Sequence, residues 1–260
     1  MSAPQVIVHR DADLLARAVA ARLVTRLVDA LAAADSASLV LTGGGIGTRV
    51  LSELAAAPAR DAIDWRRVDI WWGDERFLPA GDPERNETGA RAALLDHIDT
   101  SSDRIHPMPP SDGPDGDNPE AAAERYSGWL RAAARPEDHG DVPSFDVLML
   151  GIGPDAHVAS LFPGQPALDE EKRTVVAVHD APKPPPTRLT LTRPVINAAR
   201  DVWIIASGSD KAAAVRLALS EAGPIQVPAA GVRGRQQTLF LLDRAAAAQI
   251  PAQPGRTASP

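Results

Sequence analysis

A chain of 260 residues, 44% of them hydrophobic and 23% charged, has enough apolar material for one large core and the charge content of an ordinary globular protein. Its net charge of −7 argues against nucleic acid or an anionic membrane as partner, because both reward a basic surface, but leaves room for a small anion held by a few local Arg and Lys side chains. There is no cysteine, so disulfides, thiolate metal sites and cysteine nucleophiles are all excluded, which fits a reducing compartment.

The first residues, through Ala20, carry charge early and hold no unbroken apolar stretch of signal-peptide length; no segment reaches the ~20 apolar residues of a membrane span. A cytoplasmic protein is expected. Val6 to His9 reads as a short strand. From Asp11 to Ala34, Leu14, Leu15, Ala18, Val19, Leu23, Leu27 and Leu31 recur at helical spacing. Ser38 to Thr42 is a buried-strand run that ends in Gly43-Gly44-Gly45, and a second helix is predicted over Thr48 to Ala57. Val68 to Trp72 is the next apolar strand, broken by Gly73-Asp74-Glu75-Arg76. Helices are predicted over Asn86 to His97 and Pro119 to Arg135, with a proline-rich loop, His106 to Gly116, between them.

Phe145 to Leu150 is the most continuous apolar strand and runs into Gly151-Ile152-Gly153. Further strands are predicted at Thr174–Val178, Arg188–Thr192, Val202–Ala206 and Thr238–Leu241, and a helix over Ser209 to Ser220. Strands that alternate with helices imply right-handed crossovers. The expected fold is therefore α/β and Rossmann-like, with a mostly parallel central sheet and helices on both faces. Lys183-Pro184-Pro185-Pro186 is a stiff connection, too short to separate domains, so a single domain is expected over residues 1–250, followed by a disordered tail over 251–260.

Three strands end in glycine-rich or polar segments, and in an open parallel sheet ligands bind beyond the carboxyl ends of the strands. Gly43, Gly44 and Gly45 could offer backbone N–H groups at a helix start to a phosphate, or could simply form a tight βα turn. Neither Gly-Lys-Ser/Thr nor Gly-x-Gly-x-x-Gly is present there. Asp74, Glu75 and Arg76 are either a solvated charged turn or a site in which Arg76 grips an anion by paired hydrogen bonds. Asn86 reads as a possible cap for the helix that follows. His157 stands at the tip of the expected ligand edge, where a group that titrates near neutrality can take and return a proton, and Asp155 could orient its ring. The other histidines get the surface or structural reading. No metal-ligand spacing occurs, and Ser160 lacks the Gly-x-Ser-x-Gly setting of a nucleophile.

The stretch from Phe145 to Gly164, with Gly151-Ile152-Gly153-Pro154-Asp155-Ala156-His157-Val158-Ala159-Ser160-Leu161-Phe162-Pro163 at its centre, resembles the signature of the 6-phosphogluconolactonases, Gly-x-Gly-x-Asp-Gly-His-x-Ala-Ser-Leu-Phe-Pro. Trp72 to Pro79 with Asn86 resembles that family's Asp-Glu-Arg block, and Leu41 to Gly45 its Ser-Gly-Gly-Ser-Thr-Pro loop. Arg188 to Thr192 with Pro194 and Asn197, and Gly208 to Lys211, match two further blocks in family order. The resemblance implies a fold shared with glucosamine-6-phosphate deaminases and related to ribose-5-phosphate isomerases, with no metal and no cofactor. It implies a phosphorylated sugar lactone as the small-molecule partner and a monomer or weak homodimer. His157 would be the general base that activates water, Asp155 would hold the imidazole, and backbone N–H groups near the glycine loops would steady the oxyanion. Arg76, Arg188 and Lys211 would hold the phosphate with Gly43 to Gly45, while Asp74 and Asn86 complete the substrate site.

Two positions depart from the pattern. The signature's Gly after Asp is Ala156, which costs about 1 kcal/mol if that residue needs a positive φ. The phosphate loop has Gly45-Ile46-Gly47 where the family has Ser-Thr-Pro, leaving Thr48 as the nearby hydroxyl. Two rival readings use the same fold. The deaminases continue after the shared histidine with Ala-Phe-Asn-Glu-Pro, whose Glu is catalytic, whereas Phe162 stands at that position here and cannot exchange protons. A non-catalytic sugar-phosphate sensor would carry a helix-turn-helix segment, and no basic N-terminal stretch of that length exists.

Overall fold

The computed structural model describes residues 3–136, 138, 140–220 and 222–251. Its framework is built from short, largely apolar strands. These are β1 (Gln5–His9), β2 (Ala37–Leu41), β3 (Val68–Trp72), β6 (Val147–Gly151), β9 (Asp201–Ala206) and β10 (Gln237–Asp243), with the two-residue β5 (Ile105–His106) at one edge. They pair in the order β1-β10-β9-β6-β2-β3-β5, and every pairing is parallel. All five residues of β2 and all six of β9 are buried. A strand whose side chains are buried on both alternating faces must be covered on both sides, in line with the continuous apolar runs of the sequence.

The helices that connect the strands begin where local chemistry allows. Helix α1 (Ala12–Ala33) starts where the Asp11 carboxylate accepts the Leu14 N–H at 2.8 Å, and its stripe Leu15, Val19, Leu23, Leu27 and Leu31 is buried. Helix α4 (Pro119–Ala133) has Asn118 as its cap and Pro119 in the first turn, where a missing N–H costs nothing. Helix α2 (Gly45–Ala56) begins three residues before the predicted start, directly on the glycine loop. Helix α3 (Asn86–Ala93) is shorter than predicted and passes into a 3₁₀ turn over Leu95–His97. Between Ser209 and Ser220 a 3₁₀ turn, Ser209–Lys211, precedes α6 (Ala212–Ala218). The six-residue α5 (Arg193–Ala198), with Pro194 in its first turn, is an addition to the predicted elements.

The largest difference from the sequence expectation is a second sheet. β4 (Asp74–Arg76), β8 (Arg188–Leu191) and β7 (Val175–Val178) form a three-stranded antiparallel sheet in the order β4-β8-β7. Strands β7 and β8 are both expected from sequence, but no helix lies between them, and a connection over 179–187 is too short for a parallel crossover. β4 consists of three charged residues, so apolar periodicity could not show it. The predicted tail beyond Pro251 lies outside the described residues. Among those described, no helix is long and apolar enough to cross a membrane.

Candidate active site

In sheet order β2 and β6 are neighbours, yet the chain leaves β2 towards β3 and returns to β6 on its other side. Loops after these two strands therefore diverge and open a crevice, the usual position of a ligand in this architecture. A pocket of about 250 Å³ occupies it. Of the residues singled out from sequence, Gly43, Gly44, Asp74, Arg76, Asn86, His157, Arg188 and Lys211 line this pocket together. Gly45 lines the two adjoining depressions beside the same loop. Asp155 stands behind His157 rather than in the pocket wall.

The histidine is set by its neighbours. Its Nδ1 lies 2.5 Å from Asp155 Oδ1, and Lys183 Nζ is 3.8 Å from that same oxygen. Burial works against ionisation of Asp155, but the hydrogen bond from His157 and the charges of His157 and Lys183 outweigh it and bring the carboxyl down to about 2. An ionised carboxylate can only accept, so Nδ1 carries the proton and Nε2 is left as the basic nitrogen. Gly153 makes room for this pair. A Cβ there would lie 2.0 Å from His157 Nδ1 and 2.4 Å from Asp155 Oδ1, and the Gly153 N–H donates to the His157 carbonyl at 2.9 Å. Ala156, within that turn, has φ 65°, the left-handed value that the family's glycine would take without strain. The ring of Phe162 packs against the imidazole at 4.4 Å between centroids.

Two arginines line the same pocket. In the β4–β8 ladder Arg76 is directly across from Arg188, a like-charge pairing that is unfavourable unless an anion or carboxylate lies nearby. Arg76 Nη1 donates to the Glu84 carbonyl at 2.6 Å and to Asn86 Oδ1 at 2.9 Å. Arg188 is largely occupied. Its Nε donates to the Pro185 carbonyl, and its Nη2 to the carbonyls of Lys183 and Pro184, all at 3.1–3.2 Å. Its guanidinium also lies 5.7 Å from the Phe162 ring centre. Burial lowers its pKa, with Asp74 acting in the other direction. Asp74 in turn accepts the Ser160 hydroxyl at 2.7 Å, so Ser160, fully buried, is a support for Asp74 and not a nucleophile.

Asn86 is not the helix cap that sequence allowed. It is the first residue of α3, its side-chain amide donates to the Asp74 carbonyl at 2.9 Å, and its oxygen holds Arg76. The cap comes from Glu75, a side chain with no exposed surface that accepts the N–H groups of Asn86 and Glu87 at 2.6 and 2.9 Å. Burial pushes the Glu75 carboxyl up to about 7 against the pull of Arg85 and of three backbone N–H groups. Lys183 and Pro184 also stand in the pocket wall, although sequence reasoning reads their segment only as a stiff connection. The available signal was a lysine directly before three prolines in the segment that leads into Arg188. Among the described residues no cluster of ligating side chains could hold a metal ion.

Fold and pocket together define the class: an α/β enzyme with a carboxylate-held histidine and an arginine pair in one pocket at the switch point of a parallel sheet. Residues 10–241 match the model for glucosamine-6-phosphate isomerases/6-phosphogluconolactonase, and the chain belongs to that family. It is 61% identical over 248 residues to a 6-phosphogluconolactonase of Streptomyces coelicolor, covering 95% of each chain. It is 50% identical over 241 residues to that of Mycobacterium tuberculosis, covering 93% of this chain and 96% of the relative. The solved structure of 6-phosphogluconolactonase from Trypanosoma brucei superposes with a TM-score of 0.81 at 29% identity, over 95% of this chain and 99% of the other. A monomeric glucosamine-6-phosphate deaminase, at 22% identity and a TM-score of 0.76, shares the fold.

Proposed function

We propose that the protein hydrolyses 6-phospho-D-glucono-1,5-lactone to 6-phospho-D-gluconate in the oxidative pentose phosphate pathway of the cytoplasm. The single observation behind this reading is the pocket that sets a proton-accepting His157 against the Arg76–Arg188 pair, in a chain whose relatives at 50–61% identity are 6-phosphogluconolactonases. His157 Nε2 takes a proton from water as the water oxygen bonds to the lactone carbonyl carbon. The bond from that carbon to the ring oxygen then breaks, and the imidazolium returns its proton to the departing oxygen. Asp155 fixes the tautomer and steadies the imidazolium. Arg76 and the backbone N–H groups at the start of α2 receive the phosphate, with Lys211 beside them. Arg188 contributes charge and holds the Lys183–Pro185 segment in place. Phe162 packs where the deaminase pattern has its catalytic Glu, so no second proton-transfer group faces the imidazole from that position.

The test is hydrolysis of freshly generated lactone at neutral pH, with the spontaneous rate subtracted. The wild-type protein should clearly exceed background, and His157→Ala should lower kcat by ~10²–10⁴-fold, the usual contribution of an acid/base group. A wild-type rate equal to background would remove the lactonase reading. Full activity in His157→Ala would leave the reaction standing but not the base.

A further inference from the structure

The reaction scheme makes no use of Glu75, although it is the only side chain of β4 with no exposed surface. Its carboxylate receives three backbone N–H groups: Oε1 accepts from Arg76 at 2.8 Å and from Asn86 at 2.6 Å, and Oε2 accepts from Glu87 at 2.9 Å. Arg85, equally buried, places Nη2 3.8 Å from Oε2 and anchors itself on the carbonyls of Leu78 and Met108 at 3.2 and 2.7 Å. Only donors converge on this carboxyl and favour its ionised, purely accepting form, against the burial that opposes it. An amide nitrogen in place of either oxygen would face an N–H.

A helix cap alone needs no such arrangement, because a short polar side chain at the residue before the helix supplies it. Here that residue is Arg85, which makes no cap, and the cap arrives from a strand eleven positions earlier in the chain. The effect is to clamp the start of α3 onto β4. The clamped residue is Asn86. Its side chain touches three parts of the anion subsite at once: the Arg76 guanidinium at 2.9 Å, the Asp74 carbonyl at 2.9 Å, and Gly43, where a Cβ would lie 1.9 Å from its oxygen.

We propose that Glu75 is a positioning residue for the substrate's phosphate: through the backbone of Asn86 it sets where the Asn86 side chain holds Arg76 over the Gly43 loop. This rests on the reading that Arg76 receives the phosphate. Glu75 touches no substrate atom, so its loss should weaken anion binding and leave the chemistry at His157 in place.

The experiment is steady-state kinetics of Glu75→Gln on 6-phosphogluconolactone, with inorganic phosphate as a competing probe. KM and the inhibition constant of phosphate should both rise by about tenfold, while kcat stays within about twofold, the pattern of lost ground-state binding. An unchanged KM, or a kcat that falls as much as KM rises, would overturn the proposal. Should Glu75→Gln fail to fold, Asn86→Ala keeps both main-chain bonds to Glu75 and removes the side chain that joins Arg76, the Asp74 carbonyl and the Gly43 loop. It should reproduce the loss of phosphate affinity, and wild-type affinity in that variant would overturn the relay. Phosphate binding measured by calorimetry on the same proteins separates the two readings. It reports on the relay even if the wild-type protein shows no lactone hydrolysis, the outcome that would end the lactonase reading alone.

Discussion

The two sheets of this molecule are held together in different ways. In the seven-stranded sheet, β2, β6 and β9 contribute side chains such as Leu39, Leu148 and Ile204 that are fully buried in the apolar core. In the three-stranded sheet, β4 and β8 bury Asp74, Glu75, Arg188 and Thr190, and each is matched to a specific polar partner. Apolar burial is undirected and tolerant of small shifts; charge-assisted hydrogen bonds require fixed geometry. The first sheet carries stability and the second carries the placement of charge. The candidate site sits on the seam between them.

The sharpest way to break that division is to damage each sheet and read both properties. Leu39→Ala in β2 should lower unfolding free energy by about 2–5 kcal/mol, the usual cost of a core cavity, while kcat per folded molecule stays near wild type in denaturant-free assays. A large fall in kcat would show that the scaffold is not separable from the site. Gly153→Ala should do the reverse. Its Cβ would overlap the His157 ring, so about a hundredfold loss of kcat is expected from displacing the proposed base, with a circular dichroism spectrum like that of wild type.

Smaller changes sharpen the comparison. Ala156→Gly relieves a left-handed φ of 65°, but it also removes a buried methyl and loosens the unfolded chain. These effects nearly cancel, and denaturant unfolding should show a change of no more than about 1 kcal/mol. Asp155→Asn probes the acid limb. A carboxyl held at about 2 in the folded protein, against 3.8 ordinarily, contributes stability that is fully present above the ordinary value and is lost as pH falls towards 2. The Asn variant should therefore lose less stability than wild type over that window. The effect is reduced by solvent screening because the Asp155 side chain is about one-third exposed.

The same division explains what can be read from the chain. Apolar runs such as Ser38 to Thr42 and Phe145 to Leu150 mark the parallel strands, and the glycine loops after them mark the crevice. The pocket residues His157, Arg76, Arg188 and Lys211 are legible because they follow those strands or sit in family blocks. β4 is not, since three charged residues form a strand only when Arg188 and Thr190 are there to pair with them across a gap of more than a hundred residues. Nor is Glu75 distinguishable from a solvated side chain, because its burial depends on Arg85 and on the folded position of α3. Asn86 reads as a cap from sequence because the residue that does the capping lies on another element.

Phe162, Val178 and Ala181 form a small apolar cluster of their own, apart from the main core, with Ala167 packed against it. It lies at the base of the hairpin whose tip spans 179–187, closed by the Ala181 N–H on the Pro186 carbonyl at 3.0 Å. A segment anchored by its own cluster can open without disturbing the parallel sheet, at a free energy well below that of global unfolding. Amide deuterium uptake in 179–187 should then outpace that of β2, β6 and β9, and bound phosphate should slow it, since Lys183 and Pro184 border the pocket. Equal protection of hairpin and sheet would mean that the molecule breathes as one body. In the first case, traffic into and out of the crevice is governed by a local equilibrium that the core never feels.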